Sequence, residues 1–257
     1  MAEPTMLGYA KKGKWVEPFV TAIGGRMASM EEIYANTSLP MAFSGISKSA
    51  ARTQAQLHGL DWWYVDTGYV GNWQDKIWFR ITKNCHQNIE SIRERSSDRL
   101  QKLKIDRTLY KRGQKILVVP PDPKVCSCYG LDSPEQWIAD ITALIGQYTD
   151  RVIEIRHRPA SRQVRVNSDT FVNALQQDVN CVVVWTSNCG VESVIHGIPV
   201  VSLGPSAALQ VSGALANIDA LPNVNQDQIE AWLRHLSYCQ FSLAEMRSGR
   251  AWELLHS

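Results

Sequence analysis

Short apolar runs alternate with stretches of helical period along the whole chain, and the runs are too short and too often β-branched or aromatic to be helices. In the first half, Pro40-Met-Ala-Phe-Ser-Gly45 has the pattern of a strand. Ser47 to His58 follows as a helix, with Ser47 or Ser49 near its cap and Gly59 as its stop. Trp62-Trp63-Tyr64-Val65-Asp66 is a strand ending on an aspartate, and Thr67 to Gly71, with two glycines, is a loop. Strand, helix and strand at this spacing predict a βαβ unit and a parallel sheet.

The second half has a βαβαβ rhythm. Lys115-Ile-Leu-Val-Val119 is a strand closed by Pro120-Pro121-Asp122-Pro123, which predicts a rigid loop at the strand's carboxyl edge. Ser133 caps a helix to about Tyr148, with Pro134 at its first position and Glu135 behind it. Val152 to Arg156 is the next strand, and Ser168 or Asp169 caps the helix after it, with Thr170 in the first turn. Val179 to Trp185 is a buried strand, Thr186 to Gly190 a polar turn, and Val191 to His196 a short helix ended by Gly197. Pro199 to Ser202 is another strand, and two helices, Gln226–Ser237 and Ser242–Leu255, close the chain. The expected boundary lies near 112–115, giving domains 1–114 and 115–257, the second a Rossmann-like unit that holds the phosphates of a nucleotide.

Chemistry concentrates from Cys181 to Gly204. There a buried strand turns through Thr186, Ser187 and Asn188 into a helix whose first amides, at Cys189, Gly190 and Val191, are expected to be unpaired and to favour an anion. Gly190 would let the backbone approach a phosphate, and Glu192 would accept from a ribose or sugar hydroxyl. The alternative is an ordinary capped helix. Arg156 and Arg158 end the preceding strand, where ligands of open α/β sheets bind, and alternation would send both to one side to clamp a diphosphate. The alternative is a solvated strand end. Asp66 is the candidate general base, or else a cap for its own turn; His58 and His86 are weaker candidates, surface or core histidines on the plainer reading.

Charge adds one feature. Net charge is only +2, but Ile92 to Lys115 holds nine basic and three acidic residues, which leaves the rest of the chain at −4. Arg93, Arg95, Arg99, Lys102, Lys104, Lys111 and Arg112 therefore form a candidate nucleic-acid-binding patch, or else a solvated helix face with internal pairs. The nine tryptophans fit either packing or an aromatic surface for a ring-shaped ligand. The six cysteines lack metal spacing and suggest reduced thiols in a cytoplasmic protein; there is no apolar leader and no apolar stretch of spanning length.

Together, the TSNCGVESVIHGIPVV segment (Thr186–Val201), YVDTGYVG (Tyr64–Gly71) and SYCQFSLAEMRSGRAW (Ser237–Trp252) resemble glycosyltransferases of the GT-B architecture, and in particular glycosyltransferase-like proteins of tailed bacteriophages. The resemblance implies two Rossmann-like halves facing across a cleft, with the C-terminal helices crossing back. It implies a nucleotide-sugar donor, a UDP-sugar by preference, and a hydroxyl acceptor such as a hydroxymethylated pyrimidine in phage DNA. The donor turn would be Ser187 to Glu192. No acidic pair of the DxD kind is present, so no metal is required, and neither a membrane nor an obligate protein partner is expected. The chain is short for that architecture, which implies a trimmed first half. A nucleotide-sugar epimerase or hydrolase, a glycan-directed transferase, and a non-catalytic nucleotide- or DNA-binding module are the alternatives.

Overall fold

The computed structural model describes residues 4–10, 15–46, 49–71, 77–159 and 170–257. Three candidate helix caps, Ser47, Ser168 and Asp169, lie outside them.

The described elements run β1 (Leu7–Tyr9), α1 (Val16–Ala22), β2 (Arg26–Met27), α2 (Met30–Ala35), β3 (Met41–Phe43), α3 (Ser49–Leu57), β4 (Trp62–Thr67), β5 (Phe79–Lys83) and α4 (Asp98–Leu103). They continue with β6 (Lys115–Val119), α5 (Pro123–Tyr129), α6 (Pro134–Ile145), β7 (Ile153–Ile155), α7 (Phe171–Leu175), β8 (Val179–Val184) and α8 (Cys189–Ile195). β9 (Val200–Ser202), α9 (Gln226–Ser237), β10 (Gln240–Phe241), α10 (Leu243–Arg247) and α11 (Arg250–Leu255) complete the order.

Contacts divide the chain into two units, residues 1–86 with 237–257, and residues 87–236. The division therefore falls at His86/Gln87 and not at 114/115. The physical reason is that the segment 88–112 spends its contacts on the later residues. Arg93 N–H donates to His235 Nδ1 at 3.3 Å, Tyr110 N–H donates to the His196 carbonyl at 2.9 Å, and Arg112 donates to the carbonyls of Asn180 (3.2 Å) and Leu221 (2.8 Å).

The first unit holds a six-stranded sheet in the order β10-β5-β4-β3-β1-β2. The β1–β4 ladders are parallel, as the βαβ reading requires, while β5 joins β4 antiparallel and β10 joins β5 antiparallel at the sheet's edge. One face packs Phe19, Val20, Trp63, Val65 and Ile81 with Phe241, Met246 and Leu254 from the tail; the other packs Ile33, Phe43, Trp62 and Tyr64. Period-two alternation along Trp62-Trp63-Tyr64-Val65 sends successive side chains to these two cores. The tryptophans thus serve mainly packing: Trp62, Trp63, Trp137 and Trp232 are buried.

The second unit holds a parallel sheet in the order β7-β6-β8-β9. Ile116, Val118, Cys181 and Val183 on one face meet Trp137, Ile141 and Ile145 of α6. The cap at Ser133 forms as expected, its hydroxyl accepting from Gln136 N–H at 3.0 Å, with Pro134 first in the helix. Thr170 itself, not a residue in the first turn, caps α7. The proline cluster is not only a loop: Asp122 caps α5, and Pro123 starts it. Pro lacks the N–H that a first turn would leave unpaired, so the sequence that closes a strand also opens a helix. The closing helix expected over 242–255 is split at Ser248–Gly249, where Gly249 takes φ +79°.

Candidate active site

The strand order of the second unit fixes where a ligand would sit. β6 has β7 on one side and β8 on the other, so the connections leaving β6 and β7 run in opposite directions. Such a reversal opens a crevice outside the carboxyl ends of the two central strands. The segments that leave those ends are Pro120–Asp122 after β6 and Trp185–Asn188 after β8, flanked by Arg156–Arg158 after β7 and Leu203–Gly204 after β9.

Three of these segments are brought together. β7 ends at Ile155, so Arg156 and Arg158 lie in the following loop and are not held by strand alternation. Arg158 is exposed and its Nη1 stands 3.7 Å from Asp122 Oδ2, while Asp122 Oδ1 accepts from Lys124 and Val125 N–H at 2.9 and 3.0 Å. Arg156 is half-buried, and its charge reaches Glu192 and Cys189 on α8; the charge of Arg158 reaches Cys189 as well. Sequence reasoning had not singled out Asp122 as a site residue.

The turn after β8 differs in detail from the expectation. Cys189 N–H donates to Ser187 Oγ at 3.2 Å and Gly190 N–H to the Ser187 carbonyl at 3.1 Å, so these two amides are already engaged. Gly190 has a packing role. A Cβ there would stand 3.2–3.3 Å from Val184 Cγ2, Val200 Cγ2 and Ala208 Cβ, so the residue's smallness lets α8 settle on β8 and β9. Val191 is a core side chain with no exposure. Thr186 is buried, and Ser187, Asn188 and Cys189 are half-buried along the turn.

What marks the turn is unsatisfied polarity. Glu192 Oε1, Trp185 Nε1 and Gln87 Oε1 are buried without a hydrogen-bond partner among the described residues. Gln87 is fixed by its other end, Nε2 donating to the Thr186 carbonyl at 2.8 Å. Most buried polar groups in folded proteins are paired, so three such atoms on or against one turn, unpartnered among the described residues, mark the turn as a candidate binding place. Glu192 is only 5% exposed, and its burial pushes the carboxyl well above the usual carboxylate range, an effect the nearby Arg156 only partly offsets. Burial of the sulfur pushes the Cys189 thiol up to about 12, so it is no nucleophile. Gln87 was missed by sequence reasoning because it reaches Thr186 from 99 residues upstream.

In the first unit, Asp66 stands near the carboxyl end of β4 as expected, but its oxygens are engaged. Tyr64 Oη donates to Oδ2 at 2.7 Å, Arg80 Nη2 donates to Oδ2 at 3.2 Å, and Thr67 N–H donates to Oδ1 at 2.8 Å. Arg80 is buried beside the rings of Tyr64 and Tyr69, so the pair braces β4 against β5. His86 is buried against Trp62 and Tyr64; burial, aided by the charges of Arg52 and Arg80, drops its pKa to about 4, so it is neutral at neutral pH. His58 is exposed.

The basic stretch is not one helical face. Only 98–103 is helical; Arg99 is buried, Arg93 pairs with Glu90, Arg107 with Glu230, and Arg112 bonds to Asn180, Leu221 and Asn223. Arg95 is half-buried, while Lys102, Lys104 and Lys111 are exposed. Among the described residues no group of three or more His, Cys, Asp or Glu side chains is placed to hold a metal ion, and no helix is long and apolar enough to cross a membrane.

The fold has known counterparts. The structure of the beta Kdo 2,7 transferase of Thermosulfurimonas dismutans KpsC is similar over 98% of this chain and 98% of that one, at TM-score 0.50 and 11% sequence identity. The beta Kdo 2,4 transferase of the same organism's KpsC is similar over 91% of each chain, at TM-score 0.49 and 11% identity. No family model matches the chain, and no curated protein matches it. The fold is thus a mixed α/β arrangement of the GT-B-like kind.

Proposed function

We propose that this protein is a glycosyltransferase that moves a sugar from a nucleotide-sugar to a hydroxyl acceptor. The observation that carries the reading is the convergence of Arg156, Arg158 and Asp122 with three unsatisfied buried polar atoms at the strand-order reversal of a parallel sheet. The GT-B-like fold supports it, as does the similarity to the beta Kdo 2,7 transferase of Thermosulfurimonas dismutans KpsC. In the reaction an acceptor oxygen bonds to the anomeric carbon, and the bond from that carbon to the nucleotide's phosphate oxygen breaks. The acceptor's proton passes to a base, and the leaving phosphate gains negative charge. Arg156 and Arg158 stabilise that charge, while Glu192 and Gln87 take hydrogen bonds from the donor's hydroxyl or amine groups.

UDP is the preferred nucleotide and no metal is assigned a role. Asp66 is the candidate base, and to act it must give up its contact with Arg80. DNA remains the proposed acceptor carrier, resting on the exposed Lys102, Lys104 and Lys111. The test is product analysis by mass spectrometry, with a panel of nucleotide-sugars against hydroxymethylated duplex DNA and against glycan acceptors. Transfer that falls in Arg156→Lys and Arg158→Lys supports the reading, since lysine cannot reproduce a two-pronged contact. A sugar nucleotide hydrolysed or epimerised without transfer would replace it, and transfer to glycans alone would remove DNA.

A further inference from the structure

Asp122 is held in place by the helix it caps. Its Oδ1 accepts from Lys124 and Val125 N–H at 2.9 and 3.0 Å, and Pro123 opens α5 directly behind it. Turning the carboxylate away would leave those two amides without their acceptor. The other oxygen, Oδ2, stands 3.7 Å from Arg158 Nη1. That is beyond hydrogen-bond range, so the two groups meet as charges, and the carboxylate does not aim the guanidinium fork. The partners differ in freedom. The Arg158 side chain is 66% exposed in the loop after β7, while the Asp122 carboxylate is pinned by its cap. Arg158 can therefore turn to an arriving anion. Asp122 stays where it is, a fixed negative charge at the carboxyl ends of β6 and β7.

We propose that Asp122 is a specificity-determining residue, which tells a nucleotide-sugar from the nucleotide it leaves behind by repelling the extra charge of the free diphosphate. The inference rests on the nucleotide-sugar reading given above. In the donor each phosphate is esterified on both sides and carries one negative charge. When the bond from the anomeric carbon to the phosphate oxygen breaks, its electron pair stays on that oxygen, and the acceptor's proton leaves on the base. The terminal phosphate then carries a second charge, since the last ionisation of a phosphate monoester lies near about pH 6. Arg156 and Arg158 attract both forms, and the added charge draws the free nucleotide the harder. A fixed carboxylate beside Arg158 works in the opposite sense and opposes the more highly charged form more. Asp122 thus evens the two affinities and keeps the spent nucleotide from blocking the site that the next donor must enter.

The test is calorimetric titration at pH 8 of UDP, CDP and GDP, each beside the methyl ester of its terminal phosphate, which has the donor's charge without its sugar. The proteins are wild type and Asp122→Asn, which keeps an acceptor for the cap and loses the charge. In the variant the free diphosphate should gain on its ester. Their affinity ratio should rise roughly fivefold at low salt, the worth of one unit charge ~4 Å away in water. Raising the salt should shrink that gain. If Asp122→Asn does not fold, Asp122→Ser, which also caps without charge, takes its place. An unchanged ratio overturns the inference and leaves the phosphate site standing. So does a weaker hold on both forms, which would make Asp122 a ligand contact or a positioning residue for Arg158. Failure of all three nucleotides and their esters to bind either protein removes the nucleotide reading itself, and the inference with it.

Discussion

At the scale of single residues, the positions that matter most are those whose reason is not their type. Gly190 sits where a ligand-binding glycine would sit, yet its φ lies outside the left-handed region and its missing Cβ is what lets the helix touch the sheet. Gly190→Ala should therefore cost little to about 1 kcal/mol as neighbours give by a few tenths of an ångström, while Gly190→Leu should lose on the order of 1–3 kcal/mol from overpacking. Thermal unfolding of both variants checks this; a Leu variant with wild-type stability would show that the glycine is there for a ligand after all. His86 gives a pH prediction of known sign. Its folded pKa of about 4 lies below the ordinary 6.5, so between those values the unfolded chain binds a proton that the folded chain refuses. Stability from this residue is complete above pH 6.5 and is lost as pH falls toward 4, by roughly 3 kcal/mol at most. In urea titrations at pH 7 and pH 4.5, His86→Phe should lose less stability between the two than wild type does. The positions of Arg156 and Arg158 after a strand, and of Glu192 on the helix after a turn, were legible in sequence, because strand ends and turns announce themselves. Gln87 was not legible, because a contact across 99 residues leaves no local trace.

At the scale of elements, caps carried most of the legible information. Ser133-Pro134 predicted its helix start, and Gly59 and Gly197, both at positive φ, predicted their helix stops. The same rules, applied to Pro120 to Pro123, stopped one step short. Asp122-Pro123 is itself a cap followed by a first-position proline, but α5 is only seven residues long, and its apolar side is two cysteines, too little periodicity to read as a helix. The cap has a second duty, since Oδ1 holds the helix amides while Oδ2 faces Arg158. The two can be separated. Asp122→Asn keeps an acceptor for Lys124 and Val125 N–H, so stability should hardly change, whereas Asp122→Ala should lose about 1 kcal/mol. Chemical denaturation of the two variants side by side is the check, and equal losses would mean that the carboxylate's charge, not its capping, supports the helix. The break at Gly249 was hidden for the opposite reason: helical periodicity on both sides of the glycine reads as continuous, and only the backbone angle shows the stop.

At the scale of the whole molecule, the chain's organisation departs from its order in sequence. Residues 237–257 follow the second unit along the chain but belong to the core of the first: Phe241, Met246 and Ala251 are fully buried there, and Leu254 nearly so. β10 closes the edge of the first sheet by pairing with β5, and Gln240 Oε1 accepts from Tyr69 N–H at 2.8 Å and Val70 N–H at 3.2 Å. A linear reading puts a boundary where composition shifts, and the basic run near 112 looked like one; what decides a unit is where apolar side chains find partners, and those of the tail find them at the other end of the chain. Burying Phe241, Met246 and Leu254 contributes roughly 5–9 kcal/mol at ~1.5–3 kcal/mol per large side chain. A domain's entire stability is about 5–15 kcal/mol, so a first unit without its tail has little left. Residues 87–236, by contrast, are one uninterrupted stretch with its own sheet and core. Expressed alone, residues 87–236 should therefore unfold in a single cooperative transition and show dispersed amide resonances. Residues 1–86 alone should not, and residues 1–236 should show the transition of the second unit only. Cooperative folding of 1–86 by itself would mean that the tail adds to a core already sufficient. Failure of 87–236 would mean that its own sheet and core are not sufficient for stability.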